Sequence, residues 1–245
     1  MNNILAALMF FTRLPFWKIK TVPEESFKHV VSYWSFSGWI TGGAMALVFW
    51  GASHLFNIEI SVILALISRI MITGALHEDG FADFFDGMGG GRDKTGILRI
   101  MKDSYIGSYG VLALILYYLT VYSVLSSLPK KVIPATLLCG DTFCKFVCGH
   151  IINLLPYARN EAESKAKVVY SGMSIKEKLI SLAGGIIPLY FFPLEYVWAL
   201  ITPVAIFMFL ILYLKKKIGG YTGDCCGAVF LLSELGFLLT MAALT

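Results

Sequence analysis

The sequence predicts an all-α, polytopic membrane bundle of about seven transmembrane helices, within a range of six to eight. Three observations predict it. Of 245 residues, 57% are hydrophobic and only 15% are charged, against about 25% charged in an average soluble domain. Mean hydropathy is +0.73. Seven apolar runs, at 34–56, 60–76, 109–128, 132–155, 179–194, 196–214 and 225–243, approach the roughly 20 residues a helix needs to cross a bilayer. This composition excludes a disordered chain, a coiled coil and an ordinary soluble enzyme.

Taken in order, the elements begin with Met1–Pro15, which is apolar but too short to span and lacks the basic start of a signal peptide. Arg13, Trp17, Lys18 and Lys20 suit a helix lying at the interface. The second and fifth runs are short. Pro188 and Pro193 disturb the fifth, and Pro203 interrupts the sixth. No linker, low-complexity tract or internal repeat divides the chain, so 1–245 reads as a single membrane-embedded domain.

The basic residues orient the bundle. Segments 1–33, 77–108, 156–178 and 215–224 hold sixteen of the twenty Lys and Arg, and they are alternate connections if seven spans are right. The opposite side holds Lys130 and Lys131, while Arg69 and Lys145 fall within spans. The positive-inside rule then puts the sixteen in the cytoplasm and the carboxyl terminus outside. The formal charge of +4 is too small to suggest nucleic acid. Five cysteines, Cys139, Cys144, Cys148, Cys225 and Cys226, lack zinc spacing and read as small thiols packed between helices.

Acidic residues are scarce, yet six of sixteen lie between Glu78 and Asp103. The run is His77-Glu78-Asp79-Gly80-Phe81-Ala82-Asp83-Phe84-Phe85-Asp86-Gly87, continued by Gly89-Gly90-Gly91-Arg92-Asp93 and Met101-Lys102-Asp103-Ser104. Asp79, Asp83 and Asp86 stand at i, i+4 and i+7, one face of a helix. Carboxylates so placed repel unless a cation sits among them, and hard oxygen donors suit Mg²⁺ or Mn²⁺ completed by substrate phosphates. Phe81, Phe84 and Phe85 would bury the other face. The glycines allow close backbone approach, and Arg92, Lys94 and Lys102 supply cations for phosphate oxygens. The plain alternative is a solvated acidic loop at the membrane surface.

Other polar residues sit where they are costly. Arg69 either snorkels to the surface or points into the same cleft. Asp141 and Lys145, an i, i+4 pair, neutralise each other or touch substrate. His150 is a packing residue. Asp224, framed by Gly223 and Gly227 at the start of the last run, joins the metal site or caps a helix.

These residues carry a resemblance. The run from His77 to Gly110, including Met101-Lys102-Asp103-Ser104-Tyr105-Ile106-Gly107, resembles the signature of the cobalamin synthase family, the adenosylcobinamide-GDP ribazoletransferases. Phe10-Phe11-Thr12-Arg13-Leu14-Pro15, Leu155-Pro156-Tyr157-Ala158-Arg159 and Gly220–Ala228 are similar to further stretches of that family, in the same order along nearly the whole chain. Tyr105 stands where the family usually carries Arg, and Phe84 and Phe85 are bulkier than its usual residues; neither removes a candidate ligand.

The resemblance implies a multi-pass enzyme of the inner cell membrane with a cytoplasmic active site, acting in nucleotide-loop assembly of cobalamin. It implies Mg²⁺-dependent transfer from adenosylcobinamide-GDP to α-ribazole or its 5′-phosphate, with GMP released. For such a reaction Asp79, Asp83 and Asp86 are expected to hold one or two Mg²⁺ ions, with Asp83 or Asp86 accepting the hydroxyl proton instead. His77, Gly89, Gly90, Arg92, Lys102 and Arg13 go to substrate, with Asp103 and Asp224 as further metal or ribose contacts. Two alternatives stay open. One is a CDP-alcohol phosphotransferase, whose usual Asp-Gly-x-x-Ala-Arg opening is only partly met. The other is an ion-coupled transporter using Arg69, Asp141, Lys145 and Glu234. Composition and spacing alone reach only a membrane protein with a metal–phosphate site, and they leave the oligomeric state, a homo-oligomer included, open.

Overall fold

The computed structural model describes residues 2–159 and 169–245. Lys165 and Lys167, counted above among the basic residues, lie outside the described residues. All regular structure among the described residues is helical, apart from one isolated bridge pairing Tyr157 with Tyr221. The order is α1 (Asn2–Phe11), α2 (Trp34–Ala52), α3 (Ile58–Thr73), α4 (Leu76–Gly90), α5 (Lys94–Ile100), α6 (Ser108–Ser127), α7 (Ile133–Gly149), α8 (Ile151–Leu154), α9 (Ile175–Ile186), α10 (Ile201–Ile218) and α11 (Gly223–Ala243). Tighter 3₁₀ stretches run over Glu24–Tyr33, Ile187–Phe191 and Leu194–Leu200.

Every apolar run finds a helix, but fewer than seven of these helices are long and apolar enough to cross a membrane on their own. Among the described residues four helical stretches are long and apolar enough to cross a membrane: Ser108–Ser127, Ile133–Leu154, Leu194–Ile218 and Gly223–Ala243. A fifth is reached if α3 and α4, bent by 89°, count as one. Two of the seven runs fall short for local reasons. Serine, glycine and tryptophan dilute the hydropathy of α2. The 179–194 run breaks after twelve helical residues, where Pro188 turns it into a 3₁₀ stretch.

The glycines of α2 set its depth in the bundle. A Cβ on Gly38 would stand 2.7 Å from the Thr142 backbone of α7, and one on Gly42 would stand 2.9 Å from the Leu137 carbonyl. Membrane helices use small residues in this way to bring backbones together. The expected thiol packing holds: all five cysteines are free and buried. The outer faces of α6 and α10 expose Leu116 and Leu212 at 62% and 65%, apolar surface suited to lipid.

The four basic segments meet at one end of the bundle whatever the number of spans. Arg13 N–H donates to the Ile72 carbonyl at 2.7 Å, and Ser171 N–H donates to the Lys28 carbonyl at 2.9 Å. Ala158 N–H donates to Tyr221 O at 2.8 Å, and Tyr221 N–H to Pro156 O at 3.0 Å. Gly220 permits that crossing, since a Cβ there would lie 2.3 Å from Pro156 O. At the opposite end Lys130 Nζ caps α2 through the Ser53 carbonyl at 2.5 Å.

Candidate active site

The acidic run folds as the helix its spacing predicts, placed by a sharp bend. Gly74 and Ala75 both have positive φ, 66° and 59°, and together they end α3 and launch α4 across it. Gly74 suits this conformation, whereas Ala75 is strained by it. Helix α4 then packs along α11 through two glycines. A Cβ on Gly80 would be 2.9 Å from Asp224 Cα, and one on Gly227 would be 2.8 Å from the His77 carbonyl. This contact brings Asp79 of α4 beside Asp224, in the first turn of α11.

Asp79 and Asp224 share a cavity of about 270 Å³. Its charged end also holds Arg159, whose Nη1 lies 3.5 Å from Asp224 Oδ2 and whose Nη2 donates to the Leu98 carbonyl of α5 at 3.1 Å. Its other walls are aromatic, with Phe10 and Phe11 from α1, Trp34 from α2, and Tyr157 and Tyr170. His77 packs its ring 5.4 Å from Trp34 and 5.0 Å from Phe230, centroid to centroid. Asp79 is exposed, and among the described residues its carboxylate has no hydrogen-bond or ion-pair partner. Thr222 caps α11, accepting from Cys225 N–H at 3.3 Å. Asp224 therefore lines the cavity without being the helix cap.

The remaining expected site residues spread out along α4 and beyond. Asp83 is buried one turn from Asp79. Asp86 keeps the expected face of the unbroken helix α4, but its carboxylate accepts Gly107 N–H at 2.6 Å and Gly110 N–H at 2.9 Å, so it caps α6. Gly89 and Gly90 are helical, and a Cβ on Gly89 would strike the Tyr109 ring at 2.6 Å, so the first glycine serves helix packing. Arg13 lays its guanidinium against Gly74. Arg92, Lys102 and Asp103 are exposed, and Asp103 accepts Tyr105 N–H at 3.2 Å. Among the described residues no three His, Cys, Asp or Glu side chains converge closely enough to cage a metal by themselves.

Sequence reasoning missed Arg159 as a site residue, together with the aromatic wall. Arg159 sits in the Leu155–Arg159 stretch, but only the Tyr157–Tyr221 crossing reveals that it faces Asp224. The Trp34 signal was hidden, because a tryptophan opening an apolar run reads as an interface anchor.

Arg69 does neither of the things expected of it. Its Nη1 grips Glu234 at 2.6 and 2.7 Å, and its Nη2 bonds Tyr117 Oη at 3.0 Å, all buried. Lys145 bonds Asp141 at 2.8 Å and Thr41 at 2.6 Å, so the i, i+4 pair is mutually neutralising. His150 Nδ1 turns back onto the Phe146 carbonyl at 2.9 Å, as a packing residue does.

The fold and site thus define a class: a helical multi-pass membrane protein with one end basic and an acidic, aromatic-walled cavity at that end. The family described as cobalamin-5-phosphate synthase matches residues 3–242. An "adenosylcobinamide-GDP ribazoletransferase" of Shewanella baltica is 36% identical over 94% of this chain and 90% of its own length. Proteins with the same name from Shewanella frigidimarina and Shewanella piezotolerans are 34% and 37% identical, covering 99% and 96% of this chain and 95% and 92% of their own. No solved structure matches. The chain belongs to the cobalamin-5-phosphate synthase family; it is a transferase of cobalamin biosynthesis. Membership overturns the transporter alternative, and the residues of that supposed relay are bonded to one another.

Proposed function

We propose that this chain transfers the adenosylcobinamide phosphate group from adenosylcobinamide-GDP to α-ribazole or its 5′-phosphate, releasing GMP. The observation that carries this reading is the pair Asp79 and Asp224, delivered by two helices to one cavity. The 21-residue α11 also starts there, and a helix N-terminus favours phosphate oxygens through its unpaired N–H groups and its dipole. The substrates are those in the relatives' name.

In this reaction the acceptor ribose hydroxyl oxygen forms a bond to the corrinoid-side phosphorus. The bridging P–O bond of the diphosphate breaks, and GMP leaves with the electron pair. The hydroxyl proton passes to Asp83, on the same face of α4 as Asp79. Arg159 holds phosphate from the cavity wall, helped by Arg13, Arg92 and Lys102 from the connections around it.

The donors suit Mg²⁺, which takes one or two carboxylates and leaves its other positions to water and substrate phosphate. Asp79 and Asp224 would hold the ion, and Asp79 has no competing partner among the described residues. Asp86 is occupied by α6, so its part is to position that helix. When bound, Mg²⁺ neutralises charge on the diphosphate. The gathering of the basic segments at this end supports a site on the cytoplasmic face of the inner membrane.

The test is GMP release by purified, detergent-solubilised protein given both substrates, with and without Mg²⁺. Metal-dependent GMP appearing with a corrinoid product is expected. A folded, lipid-supplied sample that releases none would sink the reading.

A further inference from the structure

The aromatic end of the cavity is not explained by phosphoryl transfer, which needs charge and metal rather than rings. Phe10, Phe11, Trp34, His77, Tyr157 and Tyr170 surround it, drawn from three helices and the connection between α8 and α9. Trp34 and Phe11 stack at 5.2 Å with planes 15° apart, and Phe10 meets Tyr170 edge-on at 6.1 Å. Two polar atoms in this wall lack a partner among the described residues. Trp34 Nε1 and His77 Nε2 are both buried without a hydrogen bond, on residues only 1% and 2% exposed. Both nitrogens are closed off from the cavity, so the wall offers a ligand ring faces rather than polar atoms.

Size excludes one candidate. At about 270 Å³ the cavity lies near the lower limit for ligand pockets, roughly 300 Å³, so a two-ring nucleoside fits and a corrin macrocycle does not. Chemistry separates the remaining two bases. Guanine carries carbonyl, amino and ring N–H groups that would need several partners in the pocket. A benzimidazole riboside is apolar around its carbocycle and asks for at most one hydrogen bond, at its ring nitrogen, which matches a wall made of ring faces.

We propose that the aromatic end of this cavity binds the benzimidazole-type base of the acceptor nucleoside, so that its ribose hydroxyl emerges between Asp79 and Asp224. The inference rests on the transfer reading above and adds where the acceptor sits. It makes Phe10, Trp34 and Tyr170 the residues that set base specificity.

Two measurements test it. Free 5,6-dimethylbenzimidazole should compete with α-ribazole but not with adenosylcobinamide-GDP on the unmodified protein, a test that needs no variant. Phe10→Ala, at a half-buried position, should raise KM for α-ribazole by roughly tenfold, as losing a stacked base partner does. Its KM for adenosylcobinamide-GDP should move by less than about twofold, the difference expected when only the acceptor base touches this wall. Should the variant fold poorly, direct calorimetric titration of α-ribazole into the unmodified protein against its benzimidazole competitor decides alone. Competition with adenosylcobinamide-GDP, or a GMP inhibition constant that rises in Phe10→Ala, would place guanine here and overturn the proposal. No competition with either substrate would overturn it too. Absence of GMP release alongside intact α-ribazole binding would sink the transfer reading and leave the base site standing.

Discussion

Glu78 and Asp79 are neighbours in sequence, yet they belong to two regions that treat charge in opposite ways. Glu78 turns into the bundle, accepts from Tyr118 Oη at 2.8 Å and lies 3.7 Å from Arg69. There it joins Glu234, Asp141, Arg69 and Lys145, with hydroxyls of Tyr117 and Thr41 bonding Glu234 and Asp141. Asp79 turns the other way, into the cavity, with no partner among the described residues. Successive helical residues point about 100° apart, and that rotation separates structural from chemical charge. The comparison teaches that a buried carboxylate in a membrane helix is no evidence of function when cations and hydroxyls answer it. The informative carboxylate is the one that stands open to solvent and shares a cavity with a second carboxylate.

Exchanging one group from each region would break the comparison most severely. Arg69→Leu leaves Glu234 buried without its cation, a loss of about 3–5 kcal/mol, and should lower the unfolding temperature in detergent before any catalytic effect is read. Asp79→Asn should do the reverse, with turnover falling on the order of a thousandfold while the melting curve holds. If Asp79→Asn unfolds the protein, or Arg69→Leu leaves its stability intact, the division between the regions is wrong.

A smaller effect probes the seam between them. Gly80→Ala would push a methyl into the Asp224 backbone, 2.9 Å away. Overpacking of this kind costs about 1–3 kcal/mol, and here it should spread α4 from α11. Both stability and turnover should fall together, measured by melting and by GMP release. Glu78→Gln is milder still: the amide oxygen can keep the Tyr118 bond, so a loss near 1 kcal/mol is expected, with kcat little changed.

The smallest effect lies outside both regions, at the start of α9. Glu177 accepts from Ser174 N–H and Oγ at 2.8 and 2.7 Å and meets His29 at 2.7 Å. Burial pushes its pKa up, but the Ser174 bonds and His29 outweigh that and bring it below the ordinary 4.5. A carboxylate depressed on folding adds stability above its unfolded pKa and loses it as pH falls through the folded one. Glu177→Gln should therefore flatten the melting-temperature decline below about pH 4.5 and leave the curve at neutral pH nearly unmoved. An unchanged acid limb would show that the box is no more than a local cap.

Much of this was legible in the residues. Apolar runs located the helices to within a few residues, because burial in lipid demands long apolar stretches and leaves little choice of secondary structure. The i, i+4, i+7 spacing foretold the helix that carries Asp79, Asp83 and Asp86, and the motif led to the family. Less legible was the number of spans, since hydropathy does not tell a lipid-facing helix from one buried among its neighbours: 78% of the Ile133–Leu154 window is buried but only 28% of Ser108–Ser127.

What the sequence determined by itself is therefore the all-helical membrane class, the basic end, the acidic helix and the family. These depend on composition and local periodicity, which each segment carries alone. The tertiary structure decided which carboxylates meet. It took the bend at Gly74 and Ala75, the glycine contact between α4 and α11, and the Tyr157–Tyr221 crossing to set Asp79, Asp224 and Arg159 around one cavity and to send Asp86 to the end of α6. Residues 145 positions apart, such as Asp79 and Asp224, share no local signal. Only backbone packing at close range, which requires glycine on both helices, brings their charges to the same place.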